Sequence, residues 1–237
     1  MYEFIYLLIS LIILYFSILG YGLLIQNLKI KYDIFLVFLS GYFFIGLITL
    51  VFHFFLPIND FVSLAIIING LIILFIKKKY LIDETSYKNI LFFIITSLLL
   101  IGFSEHSIDA NMYHHPYVSY LKSEKIIFGI ANIEFRFGHI SLLQYVQSAL
   151  TNNFLNLITI SAPNLILYSI FIIFSWQSLF NKRENKITVL IIITLSCFVL
   201  IKFSRYREFG NDLIPFIVSS YFLIQIVKHS LSKKKEY

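Results

Sequence analysis

The chain has 237 residues, of which 59% are hydrophobic and 14% charged, and its mean hydropathy is +0.83. This balance lies far outside that of a water-soluble domain and places the protein in the integral membrane class. The net charge of +6 gives no support to nucleic-acid binding, because it divides along the chain in a way that reports membrane topology.

A bilayer core asks for about 20 apolar residues per helix, fewer where flanking side chains reach the interface. Seven segments qualify: Phe4 to Ile25, Ile34 to Leu56, Pro57 or Phe61 to Ile76, Ile90 to Ser104, Leu157 to Phe180, Ile187 to Ile201, and Leu213 to Val227. The first opens on MYEF, which lacks a basic stretch and a small-residue cleavage site, so it reads as a retained anchor. The lone Cys197 falls inside the sixth segment and reads as core, with no disulfide framework or thiolate zinc site. The expected fold class is therefore all-α, a polytopic transmembrane bundle of about seven spans forming a single integral membrane domain over residues 1–237. Three N-terminal spans occupy residues 1–89.

Thirteen of the nineteen basic residues fall in alternate connections and at the C-terminus: Lys29 and Lys31, Lys77 to Lys79 with Lys88, Lys182 with Arg183 and Lys186, and Lys228 with Lys233 to Lys235. The positive-inside rule makes that side cytoplasmic, with the N-terminus outside and the C-terminus inside, as expected for a multi-pass protein of the cytoplasmic (inner) membrane. The other side receives eight of the thirteen acids, with outer loops over residues 105–156 and 204–212.

The long outer loop reads as two helices lying on the membrane. In PYVSYLKSEK, Pro116 suits a first helical position, Tyr117, Tyr120 and Leu121 share a side, Lys122 and Lys125 reach water, and Gly129 ends the helix. In HISLLQYVQSALT, polar Ser141, Gln144, Ser148 and Thr151 alternate with an apolar face of Ile140, Leu143, Val146 and Leu150. His53 and His229 read as ordinary helix-end residues, and Trp176 as part of an interfacial aromatic belt.

The patterns DANMYHHPY, GIANIEFRFGHIS and SRYREFGND, between Ser104 and Pro215, resemble a group of bacterial multipass proteins associated with the GT-C fold. Glycosyltransferases of that fold take sugars from polyprenyl-phosphate donors. The resemblance makes residues 90–237 a partial GT-C-like core, with the acidic residue after its first helix at the catalytic centre. It implies membrane lipid and a polyprenyl-phosphate-linked sugar as partners. Three spans precede this core and the chain stops after its fourth helix, so the resemblance also implies a truncated frame, an inactive copy, or one half of a protein completed by a complementary membrane subunit.

Sugar transfer from a lipid phosphate needs a base or electrostatic partner for the acceptor hydroxyl and cations for the departing phosphate. Asp109 is the candidate for the first role. Glu105 lies one helical turn before it, where mutual repulsion would raise one pKa, and His114 or His115 could orient or share the proton. Arg136, Arg205 and Arg207 suit phosphate because guanidinium forks match its oxygens; Lys122 and Lys125 are weaker candidates. Glu208 and Asp212 complete the substrate side. Plainer roles stand beside these: Asp109 as a helix cap, and Arg205 and Arg207 paired with Glu208 and Asp212 within their loop. No metal signature is present, although His106, Asp109, His114 and His115 are ligand types that a divalent ion accepts. A small-molecule transporter, suggested by Pro163 in SAPNL, and a non-catalytic assembly protein are the rival classes.

Overall fold

The computed structural model describes residues 2–28, 33–77, 87–101, 108, 110–138, 141–154, 162–181, 184–203 and 212–233. Among them there are nine α-helices and no strands: α1 (Tyr2–Gly22), α2 (Ile34–His53), α3 (Asp60–Ile76), α4 (Tyr87–Ile101), α5 (His115–Ser123), α6 (Leu142–Leu150), α7 (Ala162–Leu179), α8 (Lys186–Ile201) and α9 (Leu213–Lys233). Among the described residues four helical stretches are long and apolar enough to cross a membrane: Leu8–Ile25, Ile34–His53, Ala162–Leu179 and Leu213–Leu231. Helices α3 and α8 are apolar but shorter, at 17 and 16 residues.

Short polar residues start these helices where the apolar runs begin. Asp33 caps α2 by accepting from the Leu36 N–H at 2.9 Å, Asn59 caps α3 through Val62 at 3.1 Å, and Asn185 caps α8 through Ile187 at 3.0 Å. Each cap answers one of the backbone donors that a helix N-terminus leaves open.

α1 lies against both α2 and α3, and its contact with α3 is backbone-close. A Cβ on Gly20 would stand 1.9 Å from the Gly70 carbonyl oxygen, so only glycine permits this crossing. α2 and α3 scarcely touch one another, and an apolar slot of about 420 Å³ remains between them, bounded by Tyr21 and Leu24 on the α1 side. α7 is buried along nearly its whole length and joins this first group to α4, α8 and α9.

The two ends of the bundle carry different polar groups. Where α2 begins, Asp33 also accepts from Tyr221 Oη at 2.9 Å and Gln225 Nε2 at 2.6 Å, both on α9. Lys228 pairs with Glu184 at 2.8 Å on the same end. Where α2 finishes and α3 begins, α5 and α6 form a separate layer.

That layer differs from the sequence expectation. α6 does not float with a polar face in water: every residue from Gln144 to Leu150 is buried among α2, α3, α5 and α7. Leu142 enters the space left by Gly46 in α2, where a Cβ would lie 2.6 Å from the Leu142 Cγ. α5 ends at Ser123 and not at Gly129, whose φ of +83° instead opens a short 3₁₀ turn at Ile130–Asn132. Cys197 is exposed on α8 and is not core: the buried side of that helix is formed by Thr188, Ile192 and Val199.

Candidate functional site

The α5–α6 layer is fastened to the bundle by His53, the last residue of α2. Its ring is fully buried, with Nε2 2.9 Å from the Glu124 carbonyl and Nδ1 3.1 Å from Tyr145 Oη. A carbonyl only accepts, so the proton sits on Nε2 and Nδ1 accepts from the tyrosine. Burial pushes the Tyr145 phenol up, which keeps it a donor at neutral pH. The His53 carbonyl accepts from the Ile126 N–H at 3.0 Å, and Leu121 accepts from Ile58 at 2.9 Å. His53 is thus a hub joining α2, the end of α5 and α6, and not the ordinary helix-end residue expected.

Asp60 makes the second fastening. It takes the Lys122 ammonium at 2.8 Å and Asn153 Nδ2 at 2.8 Å, while Lys122 also donates to the Thr151 carbonyl at 2.7 Å. Asn152 Nδ2 donates to the Asp60 carbonyl at 2.8 Å, and Ser63 Oγ donates to that of Ala149 at 2.7 Å. Burial pushes the Asp60 carboxyl up, but Lys122 and Asn153 outweigh it and hold the group below its usual range. Lys122 therefore serves the fold, tying α3, α5 and the end of α6 together, rather than facing water as a phosphate ligand.

Of the residues singled out from sequence, His114, His115, Arg136 and Asp212 are described. Glu105, His106, Asp109, Arg205, Arg207 and Glu208 lie outside the described residues. His114 closes a single π-helical turn, Ala110–His114, that leads into α5. Its ring lies 4.2 Å, centroid to centroid, from that of Tyr113, and its Nδ1 is 3.2 Å from Gln144 Nε2 on α6. Arg136 belongs to the short turn Phe135–Gly138, and its guanidinium carbon stands 5.0 Å from the centre of the Tyr113 ring. Such a cation–π contact orients a guanidinium while leaving its donors available.

Tyr113, which sequence reasoning passed over, therefore brings His114 and Arg136 together. His115 is the first residue of α5 and half-buried; Asp212 is exposed just before α9. No group of three or more His, Cys, Asp or Glu side chains able to hold a metal is found among the described residues. An imidazole held by an amide and a guanidinium held by a ring, each against Tyr113, supply a proton-exchanging group and an anion-binding group.

These features define an all-helical protein with membrane-length helices and a polar layer across one end. Residues 4–237 match the family model described as "Domain of unknown function (DUF8201)", and the chain belongs to that family. No curated protein and no solved structure matches the chain.

Proposed function

We propose that the protein is a membrane glycosyltransferase-like enzyme that transfers a sugar from a polyprenyl-phosphate donor at the outer face of the bacterial cytoplasmic membrane. In this reading α1 to α4 and α7 to α9 all cross the membrane, with the N-terminus outside and the C-terminus in the cytoplasm. The lysine-rich connections then lie inside and the α5–α6 layer lies outside. The observation that carries the reading is the meeting of His114 and Arg136 on the ring of Tyr113, with Tyr113 and His114 four and five residues after Asp109 in the chain.

Asp109 takes the proton of the acceptor hydroxyl as that oxygen bonds to the anomeric carbon. The bond from that carbon to the donor phosphate oxygen breaks, and the phosphate leaves with its charge met by Arg136. His114 holds or relays the proton. Glu105, one helical turn before Asp109 in the chain, shares in the acid–base pair, and His115, Arg205, Arg207, Glu208 and Asp212 belong to the same outer side and complete the substrate contacts.

The test is transfer of labelled sugar from a polyprenyl-phosphate donor by membranes carrying the protein. The Asp109→Asn variant should insert normally and lose transfer. Undiminished product in that variant would remove Asp109 from the chemistry, and no transfer by the wild type would sink the reading.

A further inference from the structure

Gln144 and Ser148 stand one turn apart on α6, which places them on a common face. Other faces of the helix pack against α2, with Leu142 against Gly46 and Tyr145 on His53. Gln144 is 5% exposed and Ser148 0%. The Gln144 amide nitrogen meets His114, but its Oε1 has no hydrogen-bond partner, and neither has Ser148 Oγ.

Leaving such atoms unanswered inside a protein costs free energy that an apolar side chain of similar shape would avoid. A neighbouring hydroxyl shows that the layer can satisfy its polar groups, since Ser63 Oγ reaches two carbonyls, those of Ala149 and Thr151. The hydroxyls of Tyr168, Ser175 and Ser196 are also unanswered, but no contact links them to a candidate site residue among those described. Gln144 differs in adjoining His114, and Ser148 follows it one turn along the same helix.

We infer that Gln144 and Ser148 form a subsite for an uncharged, hydroxyl-bearing ring, namely the sugar that is transferred. An amide oxygen and a hydroxyl offer acceptors and one donor but no charge, so a phosphate placed there would lose its hydration without gaining a counter-ion. The anionic part of a substrate is served by Arg136 instead. Residues one turn apart lie about 5–6 Å from each other at Cβ, a separation that two hydroxyls on opposite sides of a pyranose ring can bridge. The subsite deepens the glycosyltransferase reading and rests on it for the identity of the ring.

The test uses the purified full chain in detergent and the variants Gln144→Met and Ser148→Ala, titrated with glucose, galactose, mannose and N-acetylglucosamine while thermal unfolding is followed. Without sugar, each variant should melt about 2–4 °C above the wild type, because an unanswered buried group has been removed. At least one sugar should raise the wild-type midpoint, and each variant should bind that sugar about tenfold more weakly. A wild type that none of the four sugars shifts, or variants that bind as the wild type does, would overturn the subsite.

The two proposals fail separately. Transfer that depends on Asp109 while the Gln144 and Ser148 variants bind sugar normally sinks only the subsite. Sugar binding that needs Gln144 and Ser148 in a protein whose transfer survives Asp109→Asn sinks only the assigned chemistry.

Discussion

The two ends of the bundle use the same kinds of side chain to opposite effect. At the α2 start, Asp33 is surrounded by the Leu36 N–H, Tyr221 and Gln225, so its described oxygens have what they need and the cluster closes α2 against α9. At the α5–α6 end, His53 and Asp60 are just as fully engaged, yet beside them Gln144 and Ser148 keep polar atoms with nothing to bond. Buried polarity that is satisfied holds a fold together; buried polarity left open beside exchangeable and cationic groups marks a place for something else to bind.

The sharpest way to break this comparison is to mutate one acid on each end. Asp109→Asn should lower transfer roughly 10²–10⁴-fold, the usual worth of a positioned acid–base group, whereas Asp33→Asn should leave transfer within a few-fold of wild type. Equal losses in a labelled-sugar assay would mean that both ends serve the same purpose. A smaller effect is expected on stability. His53→Ala removes two hydrogen bonds, strands the Glu124 carbonyl, and opens a cavity, at a cost of about 3 kcal/mol that denaturant unfolding in detergent would read.

The smallest effect concerns pH, where the two ends should move in opposite directions. Asp60, just before the apolar run from Phe61, has its carboxyl held below the ordinary range. The stability it contributes is fully present above the ordinary carboxylate value and is lost as pH falls through its lowered folded value. Asp33 is the reverse case. Burial raises it despite Leu36, Tyr221, Lys228 and Gln225, so its contribution is present below the ordinary value and lost as pH rises through the raised one. Hydrogen exchange as pH is taken down past the ordinary carboxylate range should therefore loosen peptides around Asp60 and Lys122 while protecting those around Asp33 and Tyr221. Parallel changes at both ends would contradict the assignment.

Much of the bundle was legible because apolar runs and short polar caps carry it locally. The runs beginning at Ile34 and Leu213 open α2 and α9 at the same residues, and that ending at Ile201 closes α8 there. The setting of α6 was not legible. Its polar residues recur at 3.6-residue spacing whether that face meets water or the inside of a protein, so periodicity alone could not decide between them. His53 was missed for a different reason, since its partners lie 71 and 92 positions away and leave no mark on the residues beside it. The juxtaposition of His114 and Arg136 was foreseen only as membership of one loop; the ring of Tyr113 that joins them carries no local signal.

The His53 clamp also sets an order of events during synthesis. Tyr145 follows His53 by 92 residues, so at roughly 5–20 residues per second the ribosome delivers the phenol about 5–20 s after the imidazole. Throughout that interval the first helices must wait in the translocon or the lipid with the end of α2 unsealed. Nascent chains arrested short of residue 145 should leave His53 open to an imidazole-modifying reagent that longer chains exclude, and equal labelling of both would show that the seal forms by another route.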